Sequence, residues 1–336
     1  MSAAAGSSVH LQDALRPAGA HAAEIARLWW FYTALLGAVV VLAAVIARRR
    51  RQLEPPALST RVLPEVPALT QLRPLNEARE KRAGWLVILA GAGTWVALFL
   101  LLFQSVMASN RLTALDAGDA LEIEVTGKQW FWQIRYLDAD ASRVFSTANE
   151  IHIPVGRNVR FHLASADVIH SFWIPSLHGK RDVIPGRTNQ LVVHAEREGR
   201  YRSQCAEFCG MAHAQMALWV VVEPRAAFDA WSDAQRAPAR EPQSELAREG
   251  QRVFLRGPCA SCHAISGTQA QALFGPDLSH LASRGELAAA SLPNRRGHLA
   301  GWLLDAPDLK PGAHMPHVKL APHELHALLA YLEGLE

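Results

Sequence analysis

Two stretches without a single charge dominate the first third of the chain, residues 28–47 and 83–110. Each meets or exceeds the roughly 20 apolar residues that a helix needs to cross a bilayer core. Beyond residue 120 the pattern shortens to a period of two. Leu121, Ile123 and Val125 alternate with Glu122, Glu124 and Thr126, which predicts a half-buried strand. Residues 151–153, 158–163, 190–194 and 217–222 carry similar signals, with Pro154-Val-Gly156 and Ile184-Pro185-Gly186 between them. Short strands at this spacing predict a β-sandwich or barrel, closed by Pro224. The period then lengthens again. Residues 225–236 suit one short helix, and 237–243 (APAREPQ) have the composition of a linker. Ser244 caps a helix that runs toward residue 259, and Pro322 opens a closing helix through Leu332. The elements divide the chain into an outer N-terminal segment (1–27), a transmembrane helical hairpin (28–110) with a loop at 48–82, a β-domain (111–224), a linker (225–244) and a small all-α domain (245–336).

Charge orients the hairpin. Residues 48–82 hold nine Lys or Arg, including Arg48 to Arg51, whereas only Arg16 and Arg27 precede the first apolar run. The positive-inside rule puts that loop in the cytoplasm and both termini outside the cell membrane. Trp29, Trp30 and Tyr32 then fall where an outer-face aromatic belt belongs. No Lys or Arg precedes Arg16 and no separate short apolar region is seen, so no cleavable leader is expected in front of the first helix. A formal net charge of +3 over 336 residues makes no case for a nucleic-acid partner.

The four cysteines fall into two close pairs, Cys205/Cys209 and Cys259/Cys262, which leaves no thiol for a long-range structural disulfide. In an oxidising outer compartment such pairs invite oxidation unless cofactors occupy them. Cys259-Ala-Ser-Cys262-His263 has the spacing of c-type haem attachment: one thioether from each thiol, and an imidazole delivered to the iron as proximal ligand. Zinc would need two further soft ligands that are missing after Cys262, and a disulfide oxidoreductase motif lacks the fixed His. The opposite axial position takes Met or His. Met315, in Gly312-Ala-His-Met315-Pro316, is the one methionine after the motif, while His280, His298, His314, His317, His323 and His326 compete. Gly275-Pro276-Asp277-Leu278 resembles the loop whose proline carbonyl receives the proximal imidazole N–H.

The other pair sits in Cys205-Ala-Glu207-Phe-Cys209-Gly-Met-Ala-His213-Ala-Gln-Met216, with His170 upstream. Cys209, His213, Met216 and His170 alone make a blue-copper ligand set. Cys205 is a thiolate that a mononuclear site would not need, and two thiolates on one loop are able to bridge a second copper. A disulfide or a zinc site are the alternatives, though zinc would ignore Met216 and leave His170 unexplained.

With these motifs together, and with Gly127-Lys-Gln-Trp130-Phe-Trp132, Asp167 to Trp173 and Gly179 to Arg187, the chain resembles subunit II of haem-copper cytochrome c oxidases over about residues 15–224. The appended domain makes it similar to the caa3-type enzymes. The resemblance implies a two-helix transmembrane hairpin, a cupredoxin-like β-sandwich and an all-α class I cytochrome c domain. It implies a binuclear copper CuA centre bridged by Cys205 and Cys209, with His170 and His213 as terminal ligands. Met216 and the Glu207 carbonyl complete that centre, and the Glu207 side chain reaches a magnesium shared with subunit I. One covalent haem c would be held by Cys259, Cys262, His263 and Met315. Trp130 corresponds to an exposed tryptophan where electrons from cytochrome c enter, and an ordinary sandwich aromatic is its bland alternative. The implied partners are subunit I, subunit III and cytochrome c or another periplasmic donor. The implied activity is that of a proton-translocating terminal oxidase, whose oxygen chemistry lies in subunit I. The alternative is a membrane-anchored copper and haem electron-transfer or copper-delivery protein outside any oxidase. One departure is the setting of Glu77 and Glu80, which lack the apolar and tryptophan context of a proton-channel glutamate and fit a solvated charged face.

Overall fold

The computed structural model describes residues 9–10, 12–53, 77–115 and 118–336. Most of the expected cytoplasmic loop, residues 54–76, lies outside the described residues. The chain divides into two units: Arg27–Ala114, and the residues on either side of it.

The first unit carries the two long helices, α1 (Ala20–Leu53) and α2 (Glu77–Leu115). Within them Ala20–Arg49 and Glu80–Ala114 are long and apolar enough to cross a membrane. Their apolar side chains turn outward, Trp95 being 77% exposed, and an uninterrupted apolar surface of this kind suits hydrocarbon rather than water.

The second unit contains the sandwich. Its strands are β1 (Val9–His10), β2 (Ala120–Lys128), β3 (Phe131–Tyr136), β4 (Phe145–Ala148), β5 (Glu150–Pro154), β6 (Asn158–Ser165), β7 (His170–Phe172), β8 (Arg181–Val183), β9 (Asn189–His194), β10 (Gly199–Gln204) and β11 (Ala217–Glu223). One sheet has the order β4-β3-β2-β6-β9 and the other β1-β10-β11-β5, with β7 and β8 as a separate pair. Period-two alternation points Ile123, Val125, Trp132, Ile134 and Phe161 of the first sheet at Ile151, Ile153, Tyr201, Leu218 and Val220 of the second.

Residues 225–236 are not free chain. They form α3 (Arg225–Arg236), which buries Phe228 and stacks Trp231 flat on His152 of β5 at 4.1 Å between ring centroids. The first half of the segment expected to be a linker is therefore part of the sandwich, because its two aromatics cover the outer face of β5. Residues 237–243 are extended but tied near their middle, by Ala239 N–H to the Ser266 carbonyl (3.2 Å) and Arg240 to Glu336 (2.6 Å).

The C-terminal region contains α4 (Glu245–Arg256), β12 (Glu286–Leu287), β13 (Leu292–Pro293), α5 (Arg296–Leu304), α6 (Ala306–Leu309) and α7 (Pro322–Leu332). Ser244 caps α4 by accepting the Ala247 N–H at 3.1 Å. Phe254 of α4 meets Tyr331 of α7 edge-on, within a core completed by Ile265, Leu281, Leu299 and Leu328. Between β12 and β13, Ala288, Ala289 and Ala290 all adopt the left-handed conformation, at φ 55°, 61° and 57°. This region packs on the sandwich. Ala217 and Trp219, on the outer face of β11, bury against Ala290, and the Trp219 indole N–H donates to Glu286 at 2.8 Å. β11 is consequently covered on both faces, unlike an ordinary sandwich strand.

Candidate metal and haem centres

The copper candidates converge where β7, the 205–216 loop and the start of β11 meet. Cys205 and Cys209 are buried, and their sulfurs lie 3.8 Å apart, well beyond disulfide bonding. His170 Nδ1 lies 3.9 Å from Cys205 Sγ, His213 Nδ1 3.5 Å from Cys209 Sγ, and Met216 Sδ 3.8 Å from Cys209 Sγ. Ligand atoms at about 2.0–2.3 Å around one ion in near-tetrahedral geometry stand about 3.6 Å from one another, so the donor set fits metal. Cys205 Sγ also contacts the Glu207 carbonyl at 3.3 Å. His170, Cys205 and Cys209 offer donor atoms all within 4.8 Å of one another.

A second layer holds these ligands. Asp167 accepts from His170 Nε2 at 2.7 Å, which fixes the ring so that Nδ1 faces the thiols. Asp167 is held in turn by the Gln129 backbone N–H at 2.7 Å. Burial pulls the His170 pKa down, but its hydrogen bonds to Cys205 and Asp167 outweigh it and raise the net value. The two thiols share a proton: the hydrogen bond from Cys209 pulls Cys205 far below the usual thiol range, and the same contact pushes Cys209 up. A loop that stabilises a thiolate before any metal arrives is a loop prepared to take one.

The haem candidates lie in the C-terminal region. Cys259 and Cys262 are free thiols at the surface of its helical core. His263 Nδ1 lies 2.8 Å from the Pro276 carbonyl, which leaves Nε2 as the atom free to ligate. Gly275 is required beside it, since a Cβ there would meet the His263 ring at 2.5 Å. Burial, then the nearby Arg284 charge, lowers the His263 pKa, so the ring is the neutral donor that iron requires. Arg284 is itself buried with its Nε unpartnered among the described residues, a polar atom that suits an anionic haem substituent. Met315 packs against the same core. Of its competitors, His280 is engaged at both ring nitrogens by the Glu336 and Ala237 carbonyls (2.9 and 3.1 Å), and His317 faces Asp305 at 3.5 Å.

Residues 136–223 match the family model described as cytochrome c oxidase subunit II, periplasmic domain, and residues 247–336 match the cytochrome c model. The likeness runs domain by domain, one match falling in the sandwich and the other in the C-terminal helical region. The pairing fits a caa3-type fused subunit II. Cytochrome c oxidase subunit 2 of Alkalihalophilus pseudofirmus is 37% identical over 223 residues, covering 66% of this chain and 63% of that one. The Bacillus subtilis protein of the same name is 31% identical over 231 residues, 66% of this chain and 64% of that one. The chain thus spans a little under two thirds of the length of these two relatives. Among solved structures, the periplasmic domain of subunit II of the Bradyrhizobium japonicum oxidase is 32% identical, covering 36% of this chain and 96% of that one at a TM-score of 0.34.

Within the subunit II domain, Trp130 departs from the expectation of an exposed ring: it is only 8% exposed. The reason is the cytochrome c domain, whose loop before Met315 lies over it, with the His314 ring centroid 5.1 Å away. On its inner side the indole N–H donates to the Cys209 carbonyl at 3.0 Å, and the Gln129 amide donates to the same oxygen at 2.7 Å. Glu207, in contrast, keeps its side chain at the surface. Sequence reasoning missed Asp167 as the orienter of His170, although its spacing three residues ahead carried the signal. It also missed Lys310, two residues ahead of the Gly312 to Pro316 motif, whose contact with the sandwich lies far away in sequence.

Proposed function

We propose that the chain is the electron-receiving subunit II of a membrane-bound terminal oxidase. It relays electrons from its own haem c domain to a copper pair in the sandwich, and on to the haem of subunit I, where oxygen is reduced to water with proton translocation. Cys259 and Cys262 would hold the haem covalently, with His263 and Met315 as its iron ligands. Cys205, Cys209, His170, His213, Met216 and the Glu207 carbonyl would hold the copper pair, the two thiolates being shared between the metals. When bound, the haem and the thiolate-bridged copper pair each exchange one electron at a time. The protein's part is to hold both ligand sets rigid and dry, so that little rearranges on transfer. The Glu207 carboxylate, at the surface beside this loop, is the group that would meet a magnesium at the border with subunit I. The two apolar helices anchor the chain to subunits I and III in the cell membrane, with the CuA and cytochrome c domains on the outer face. An external cytochrome c or another periplasmic donor supplies the electrons.

The observation that carries this reading is Trp130, hydrogen-bonded to the Cys209 carbonyl on one side and covered by the cytochrome c domain on the other. A copper-delivery role is disfavoured by the burial of both thiols, 1% and 3% exposed, since metal hand-over needs accessible sulfur. The test is the reduced-minus-oxidised spectrum of the purified protein together with its metal content. One c-type haem, two coppers and a mixed-valence copper signal per chain are expected. A single copper per chain would sink the bridged pair.

A further inference from the structure

The described residues hold one buried lysine with no carboxylate partner of its own. Lys310 is 3% exposed, in the cytochrome c domain, and its ammonium donates to two carbonyls: Trp130 of the sandwich at 2.8 Å and Ala288 of its own domain at 3.0 Å. A lysine is buried this way only where both hydrogen bonds are kept, because desolvation of the charge opposes it. Burial drives its pKa down to about 7. Either protonation state of the amine still supplies the two donors that the two carbonyls use.

The residues that follow complete the contact. Gly312, at φ +92°, lies so close to the copper domain that a Cβ on it would stand 3.1 Å from two carbons of the Trp130 ring and 3.0 Å from Met211 Cβ. His314 then packs on the indole, and Met315, the proposed axial ligand, is the next residue. The left-handed run Ala288–Ala290 supports the same surface with three consecutive carbonyls. Ala288 takes Lys310, Ala289 takes the Ala217 N–H at 3.2 Å, and Ala290 takes Arg202 at 3.4 Å. Three consecutive alanines in the left-handed conformation are disfavoured, so the turn persists where docking holds it.

We propose that Lys310 is the positioning residue that locks the cytochrome c domain onto the copper domain, aligning Met315, His314, Trp130 and Cys209 as the contact path for electrons. The proposal rests on the relay reading above. The transfer it serves moves one electron, the haem being oxidised and the copper pair reduced, with no bond made or broken. Without the lysine the 310–315 loop loses its only charged tie to Trp130 among the described residues, and the path opens.

The experiment uses the full, cofactor-loaded chain in detergent, in wild-type form and as Lys310→Met, which keeps the length of the side chain and removes both donors. Two quantities are read: the rate of haem oxidation after flash reduction, and the reactivity of Lys310 toward acetic anhydride against the exposed Lys319. Wild type should react at Lys310 at least tenfold more slowly than at Lys319. Lys310→Met should slow the transfer at least tenfold while both spectra and both potentials stay unchanged. Transfer at the wild-type rate in Lys310→Met, or a wild-type Lys310 as reactive as Lys319, overturns the proposal. In that case a wild-type rate independent of protein concentration leaves the relay reading standing. A wild-type rate that rises linearly with concentration sinks the relay itself. Should Lys310→Met fail to accumulate, Gly312→Val carries the same test by pushing the loop off the indole. It should slow transfer and make Lys310 reactive, and an unchanged rate and reactivity would overturn the proposal equally.

Discussion

The two metal-bearing domains are built on opposite plans. The sandwich closes a core of its own, with Trp132, Phe161, Phe172 and a row of Ile and Val side chains fully buried, before any copper is considered. Its ligands hang from the rim of that core, and His170 is held by Asp167 rather than by the metal. The cytochrome c domain has short helices around a small core, and Cys259 and Met315 lie only partly buried against it. On the proposed reading, copper would enter a site the protein has already made, whereas a haem would complete a core that the chain alone leaves small.

The largest expected difference follows from that contrast. Cys259→Ser with Cys262→Ser should abolish covalent haem and with it most of the helical circular dichroism of the C-terminal domain, while copper content stays near wild type. Loss of copper together with the haem would show that the two domains do not fold separately. Cys209→Ser is the converse. It should remove the mixed-valence copper signal and reduce oxidase activity by on the order of a hundredfold or more, in keeping with loss of an essential ligand. The haem spectrum should survive, with the thermal midpoint moving only a few degrees, on the order of 2–4 °C for each kcal/mol lost in a unit of this size. A retained mixed-valence signal would refute the bridging role.

Much of this was legible in the sequence, for physical reasons that differ from segment to segment. Leu121 to Val125 alternates because one face of β2 is core, and β5 and β6 announce themselves in the same way, whereas β9 and β11 show as short apolar runs. β10 did not, although it alternates in the structure. Its inward residues are Gly199, Tyr201 and Ser203, so the buried face is barely apolar. β7 is buried at all three positions and offers no period to see. The thiols, His213 and Met216 were readable from loop spacing, and His263 from its adjacency to Cys262. The burial of Trp130 was not, since it comes from the loop that begins at Lys310, 180 positions away, and long-range docking leaves no local trace.

Met315→Ala is a finer test of the haem side. Loss of the thioether should lower the haem potential and remove the weak sulfur-to-iron charge-transfer band. A wild-type spectrum would point to His314 or His317 instead.

The smallest effect concerns the sandwich alone. His152 lies between Glu150 (3.2 Å) and Glu223 (2.9 Å). Burial lowers its pKa, but hydrogen bonds and charge from the two carboxylates outweigh it, so the net shift is upward. A folded value above the unfolded one means that this stabilisation is complete below about pH 6.5. It is lost as pH rises through the folded value. The wild-type midpoint should therefore fall more steeply than that of His152→Gln across that window. Parallel pH curves would exclude His152 as the source.

The doubly covered strand β11 also has a consequence in time. Chains emerge N-terminus first, so the sandwich is complete in sequence while residues 245–336 are still to follow. Throughout that interval Ala217 and Trp219, the latter with only the Arg200 guanidinium over its ring at 5.0 Å, lack the cover that Ala290 and Glu286 later supply. Biogenesis thus has a vulnerable stage, one that ends not when the copper domain folds but when its haem-bearing neighbour does.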